Sequence, residues 1–312
     1  MDTLNTDPRH ISVLLNELVD SITIFKDRQN IVVDCTLWMA GHASQIIQKM
    51  WEWDIFVWFD ADERNLKLAK QNLEKLNTKT KIILIHSNFI HLKSELKKVW
   101  IEHITWIYYD LWISSLHVDE ADRWFSFKQD WPLDMRFDTS SWKTAAEVVN
   151  FSSKNQLEDI FRYYWEDPSF RKIADRMLLR RKEKKFVTTT DLAEFLDEIL
   201  SFPKTKTRIF QALRIEVNKE LEAVEVSLPD ALELLETDGN IFVISFHSLE
   251  DRITKKIFKK ETRDCICSDL ICSCHHTKSL KLHSKKPILP SSEEIEFNPR
   301  SRSAKARWAT KL

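Results

Sequence analysis

Glycine is almost missing. Two occur in 312 residues, where ordinary usage of about 7% predicts roughly twenty. A glycine-rich phosphate loop is therefore disfavoured, and the dinucleotide fingerprint G-x-G-x-x-G does not occur. Apolar runs of about 18 residues, the length that spans a bilayer, are absent as well. The opening residues MDTLNTDPRH lack the basic-then-apolar pattern of an export signal. These absences predict a cytoplasmic protein that meets no membrane. Net charge is also small, formally −1, but its distribution is uneven. Phe170 to Lys185 holds eight Lys or Arg against two acids, and Arg300 to Leu312 holds five against none. Such stretches suit contact with phosphates, although a solvated charged face is the commoner outcome.

Tryptophan is over-supplied, with twelve. Several stand in KMWEWDIF, DADRWFSF, QDWPLD and SSWKTA, where flanking Asp, Pro and Ser call for glycine-like backbone freedom. The two imbalances together indicate that Trp occupies positions suited to Gly. An indole forced into a left-handed backbone costs of order 1–3 kcal/mol per site.

The organising stretch is Ile31 to His42, IVVDCTLWMAGH: a buried strand followed by a turn that ends in one of the two glycines. Further strands are expected at Ile55–Phe59, Lys81–His86 and Ile104–Tyr109, alternating with helices. One helix carries Leu66, Ala69, Leu73 and Leu76 on a single face. This alternation predicts a doubly wound parallel sheet with ligands bound at the carboxyl ends of its strands. From about Asp119 the period becomes helical for roughly a hundred residues, with a Ser153–Gln156 capping box and a long helix from Ile209 through Val224. The sheet resumes at Asn240–Phe246, after a helix stop at Asp238–Gly239. Pro287–Leu289 and Ser303–Thr310 are expected to supply the last strands. The predicted organisation is a sheet domain in two parts, residues 1–118 and 223–312, around an all-helical insertion at 119–222.

Candidate chemistry sits at the strand ends. Asp60, an acid at the tip of the second strand, fits a ribose diol, though a helix N-terminal acid looks the same in sequence. Asp110 ends the fourth strand, where it could orient an amine. FHSLEDR, Phe246 to Arg252, follows the next strand, and its Ser248 and Asp251 are expected to form a capping box. Restoring Gly at Trp38 gives T-L-G-x-x-G-H. That spacing suits one nucleoside better than a pyrophosphate, which points to S-adenosylmethionine and away from a nicotinamide. Cys265, Cys267, Cys272 and Cys274, with His275 and His276 beside them, form the densest metal-ligand cluster. Zinc is the metal such thiols would hold, while metal-free reduced loop thiols are more common.

HISVLLNEL, DCTLWMAGH, DLWISS, RWFSFKQDWPLDMRFD, TAAEVVN, RIFQALRIEVNKEL, SFHSLEDR and NPRSRSAKAR, in this order from His10 to about Arg307, resemble the bacterial small-subunit rRNA cytosine-N4 methyltransferases of the RsmH/MraW family. The resemblance implies a class I, Rossmann-like methyltransferase sheet with a helical insertion and S-adenosyl-L-methionine as donor. It implies, as acceptor, a cytidine of the decoding region of 16S rRNA in the small ribosomal subunit. Carried over residue by residue, it puts the donor-binding turn on Ala40, Gly41 and His42. Asp60 would bind the ribose, Phe89 the adenine side and Asp110 the methionine side, with His117 where the family often has Gln. Asp110 and Ser114 become candidates to orient the reacting amine. RNA is expected on Arg180 and Arg181 of the insertion and on Arg300, Arg302 and Arg307. A second copy of the chain is an open alternative as partner. Family glycines are Trp here at Trp38, Trp58, Trp112, Trp124, Trp131, Trp142 and Trp165, whereas Trp308 has no such correspondence. The alternative function that follows is an impaired or misfolded Gly-to-Trp form of the enzyme that retains at most RNA binding.

Overall fold

The computed structural model describes residues 11–36, 41–74, 76, 78–111, 130–139, 143–165, 169–200, 203–267 and 272–312. Ala40, Ser114 and His117, with Trp38, Trp112, Trp124 and Trp142, lie outside them. The chain divides into two compact units, Met1–Trp112 with Leu221–Leu312, and Ile113–Glu220.

The first unit begins with α1 (Leu15–Ser21), β1 (Ile31–Asp34), α2 (Gly41–Ile47), β2 (Ile55–Asp60), α3 (Glu63–Glu74), β3 (Lys81–His86), α4 (Leu92–Lys98) and β4 (Ile104–Asp110). The second unit holds α5 (Ala145–Phe151), α6 (Lys154–Trp165), α7 (Phe170–Glu183), α8 (Thr189–Ile199) and α9 (Pro203–Asn218). After it come α10 (Glu220–Leu234), β5 (Leu235–Ser245), α11 (Ser248–Glu261), β6 (Leu280–Leu282), α12 (Ser292–Phe297) and β7 (Lys305–Lys311).

Among the described residues, seven strands form one sheet in the order β3-β2-β1-β4-β5-β7-β6. The first five are parallel, while β7 runs antiparallel to β5 and β6 antiparallel to β7. Helices cover both faces, so each central strand is apolar on both sides and its residues alternate between two cores. Val33, Val57, Phe59, Ile107, Tyr109 and Val243 join one cluster with Leu92, Leu96 and Leu228. Val32, Phe56, Trp58, Trp106, Tyr108 and Phe242 join the other with Leu18, Ile46 and Ile47.

In the helical unit Leu157, Phe161, Ile173, Met177, Leu192, Leu196, Ile209 and Leu213 make a separate core. The Ser153–Gln156 box is present, with Ser153 N–H donating to Gln156 at 2.8 Å and Gln156 N–H to Ser153 at 3.3 Å. The QDWPLDMRFD stretch is pinned by Asn218, which accepts from Phe137 N–H at 2.8 Å and donates to the Met135 carbonyl at 2.7 Å.

Four local expectations change. The long helix through Ile209 and Val224 is two helices, because Lys219 turns left-handed at φ 53° between α9 and α10. Asp238–Gly239 is not a helix stop but part of β5, since α10 ends at Leu234 and the strand starts at once. There Asp238 carries the left-handed φ of 66°. Gly239 is required for space rather than for its dihedral: a Cβ there would lie 2.8 Å from the Glu236 carbonyl oxygen and 3.0 Å from that of Thr105. The edge strand is Leu280–Leu282, and of Pro287–Leu289 only Ile288 makes an isolated bridge, to Ala306. Finally, Trp58, Trp131 and Trp165 do not have left-handed backbones. Trp58 is extended in β2 and fully buried, edge-on to Phe56 at 5.8 Å.

Among the described residues, the left-handed tryptophan is Trp100, at φ 63°. It follows α4, its N–H donating to Lys97 O at 3.1 Å and Ile101 N–H to Leu96 O at 3.0 Å. This paired closure is the one that favours glycine at the left-handed position. The indole is 92% exposed and fills no core. Trp100→Gly is therefore expected to stabilise the chain by about 1 kcal/mol, and Trp100→Ala, which keeps a Cβ, by much less. Urea unfolding midpoints check this.

Candidate functional site

The carboxyl ends of β1, β2 and β4 bring three acids to one edge of the sheet. Asp34 closes β1 and is wholly buried. Its carboxylate accepts from the Tyr108 hydroxyl and, at 2.9 Å, from Thr36 N–H. Thr36 Oγ1 in turn accepts from Asp110 N–H at 2.7 Å, and Cys35 N–H donates to Tyr108 O at 3.0 Å. The ends of β1 and β4 are thus sewn together by side chain and backbone. Asp110 is buried beside them, with Oδ2 3.6 Å from His42 Nδ1.

The electrostatics follow from that burial. Desolvation pushes the Asp34 carboxyl well above its usual range, and the Asp110 charge adds to the shift. The Tyr108 phenol is raised too, by desolvation first and then by Asp34. His42 is lowered to about 4 because burial disfavours the imidazolium. Its Nε2 faces the Val13 carbonyl at 2.9 Å, an arrangement that suits the neutral ring with its proton on Nε2. Two buried acids thus stand beside an imidazole held neutral, and a cationic group brought to them would favour their charged forms.

The turn's glycine has an unexpected neighbour. A Cβ on Gly41 would lie 2.0 Å from Ser12 Oγ, and its φ is not left-handed. The N-terminal segment packs Ser12 against Gly41, and His42 holds the same segment through Val13. Both residues tie the start of α2 to that segment.

Asp60, at the end of β2, is half-buried. Its Oδ1 accepts from Asp62 N–H at 2.6 Å and its Oδ2 from Asn65 at 3.0 Å. A carboxylate oxygen can accept from more than one donor, which is what a ribose diol asks of an acid anchored in this way. Phe89 opens the turn after β3, where Asn88 caps Ile90 N–H at 2.9 Å. Its ring meets Tyr109 edge-on at 5.6 Å.

FHSLEDR caps a helix, but one residue away from the expected pair. His247 is the N-cap and Glu250 its partner: Glu250 Oε2 accepts from Phe246 N–H at 2.7 Å and His247 N–H at 3.2 Å. Asp251 instead receives Arg307 bidentately, at 2.7 and 3.2 Å. Arg307, a candidate for RNA, is thus committed inside the sheet unit, its side chain 9% exposed. Arg181 caps the end of α5, donating to Val149 O at 2.9 Å and Ser152 O at 2.8 Å. Arg180 is half-buried, bonds the Lys184 carbonyl and lies over Phe186. Arg300 is half-buried and Arg302 exposed, both in the turn before β7. The four cysteines lie between α11 and β6.

Asp34 is the residue that sequence reasoning misses. The available signal is an acid closing an otherwise apolar strand and followed by Cys-Thr, where a buried charge has no structural reason to be.

The sequence profile described as the MraW methylase family matches residues 7–312. A relative named ribosomal RNA small subunit methyltransferase H, from Clostridioides difficile, is 41% identical over 311 residues, covering 97% of this chain and 99% of its own. Proteins of the same name from Caldicellulosiruptor saccharolyticus and Finegoldia magna are 41% and 39% identical, each over 97% of this chain and 99% of their own.

Two outcomes follow from the geometry. A histidine with a pKa of about 4 when folded, against about 6.5 when unfolded, contributes stability that is full above pH 6.5 and lost as pH falls toward 4. This group alone should remove about 2 kcal/mol between pH 7 and pH 5. His42→Gln, which can still donate to Val13, should flatten that limb in urea titrations at the two pH values. Arg307→Met should cost about 3 kcal/mol by stranding Asp251, as measured by thermal unfolding.

Proposed function

The chain belongs to the MraW methylase family and is an rRNA methyltransferase using S-adenosyl-L-methionine; from that premise we propose that it methylates N4 of a cytidine in the decoding region of 16S rRNA. The carrying observation is the buried pair Asp34 and Asp110 beside neutral His42, at the ends of adjacent strands. A ligand with an ammonium and a sulfonium would favour the charged forms of such buried acids.

In this reading Asp110 and Asp34 hold the methionine end of the donor, Asp60 its ribose and Phe89 its adenine side. Ala40, His117 and Ser114 join them on the sequence resemblance alone. Bound there, the donor supplies a methyl group on an electrophilic sulfur. The chain's own work is alignment and exclusion of water. Cytosine N4 is a weak nucleophile because its lone pair is delocalised into the ring. A carboxylate accepting from the amine helps that pair to localise, and Asp110 is the residue assigned, with Ser114 as the second candidate. The base has to be flipped out or unpaired to reach the strand ends. Residues 119–222 are assigned to RNA recognition. Arg302, exposed, and Arg180 and Arg300, both half-buried, suit phosphates. Arg181 and Arg307 serve by holding backbone and helix in place.

Incubating the full chain and donor with assembled small subunits or with naked rRNA, then digesting to nucleosides for mass spectrometry, should yield N4-methylcytidine. Asp110→Asn should lower kcat/KM by about 100-fold. Methylation confined to a ring carbon or to another base would sink the assignment.

A second reading, an impaired form of this enzyme, draws support from Trp100 at a left-handed position and from the Trp106 indole N–H, buried without a hydrogen-bond partner. It predicts donor binding too weak for calorimetry, regained when Trp38 and Trp112 are changed to Gly. Micromolar affinity in the chain as it stands would dispose of it.

A further inference from the structure

We propose that Cys265, Cys267, Cys272 and Cys274 bind one zinc ion as a closed tetrathiolate. The cluster is separate in sequence from the residues assigned to the methyl donor and to RNA. Its four Sγ atoms all lie within 4.8 Å of one another. Two of the separations are 3.8 Å, Cys272 to Cys274, and 3.9 Å, Cys274 to Cys265. A tetrahedral ion with Zn–S bonds of about 2.3 Å sets its sulfurs about 3.8 Å apart. The sulfurs therefore already stand close to the edges of that tetrahedron. A disulfide needs sulfurs at about 2.05 Å, roughly half the distances found. A multi-iron cluster would hold thiolates on different irons well beyond this spacing.

The surroundings match thiolate ligands. Cys265 accepts from Cys267 N–H at 3.4 Å, Cys267 from Ser273 N–H at 3.4 Å, and Cys274 from Ile266 N–H at 3.5 Å. Amides aimed at sulfur offset the negative charge of a four-thiolate site. They come from both C-x-C arms, so each arm braces the other. His275, directly after Cys274, turns left-handed at φ 51° and sends the chain back toward α11. There Ser279 N–H donates to Glu261 O at 2.8 Å, closing the base of the segment.

Among the described residues of this segment, no buried apolar side chain organises it instead. None of the described residues from Thr262 to Ser279 is buried, and none lies in a helix or strand. A short stretch without a core holds one conformation when a metal or covalent staple supplies the missing energy. Binding balances simply: up to four thiol protons leave, and four Zn–S bonds replace bonds from the ion to water. Zinc is preferred among the divalent ions because a closed S4 tetrahedron suits it and involves no redox step.

The test is metal analysis of the full chain, purified under reducing conditions without chelator. About one zinc per chain is expected, released as a mercurial titrates four thiols. Cobalt exchanged into the site should show the absorption of tetrahedral sulfur coordination, a signature that loop stability alone would not produce. Cys272→Ser and Cys274→Ser should each lower bound zinc at least about tenfold, while Cys35→Ser, which alters the remaining cysteine, keeps it. Folded protein with zinc below about one-tenth per chain overturns the proposal, as does recovery of the four cysteines as disulfides or with iron in zinc's place. Far-ultraviolet circular dichroism establishes that each variant is folded, and cobalt titration of the unsubstituted chain decides the matter if the serine variants do not fold.

Discussion

Burying two carboxylates at the ends of neighbouring strands is the constraint on which this structure turns. Asp34 and Asp110 lie where the sheet excludes water; burial pushes the Asp34 carboxyl up, and a charge on Asp110 pushes it further. Only close attachment of the two strand ends keeps such an arrangement in place, and Thr36 and Tyr108 provide it. His42 completes the wall and remains neutral because its surroundings are dry. The strain is tolerable in a sheet covered on both faces, whose cores supply the compensating burial.

Much of this is legible in the amino-acid sequence. The strands around Val33, Val57, Ile83 and Ile107 are apolar runs of strand length broken by turns, and the helical unit shows a clean 3.6-residue period. Asp60 and Asp110 stand out because a charge that closes an apolar strand contributes nothing to the core beside it. Residues whose meaning depends on a distant partner are harder to recognise. Gly41 reads as a ligand-facing turn residue, and the sequence gives no sign that Ser12 Oγ also stands where its Cβ would be. Arg307 reads as a phosphate contact, yet Asp251 claims it from another element. Leu280–Leu282 is too short to carry a period, and the His247–Glu250 cap hides behind its neighbours because Ser and Asp are the commoner capping types.

Tryptophan shows how context decides the cost of a residue. In β2 Trp58 is enclosed by aromatic neighbours on an extended backbone, and the core takes its volume. In β7 Trp308 donates its N–H to Asn240 at 3.0 Å and stacks on His283 at 3.4 Å. Trp100 has neither benefit, since it is exposed and its backbone is left-handed. The same side chain is thus absorbed, used, or merely carried, according to backbone and burial.

The split of the sheet unit around the helical unit bears on the order of synthesis. β4 pairs with β5 along one edge, but β5 leaves the ribosome only after every residue from Leu111 to Leu234 has been made. At about 5–20 residues per second that interval is on the order of ten seconds. During it the first four strands present an open, apolar edge, while the helical unit, whose residues are all made before β5, can already collapse. The nascent chain is therefore most exposed to aggregation in mid-synthesis, and the late arrival of β5 and β7 is the event that seals it.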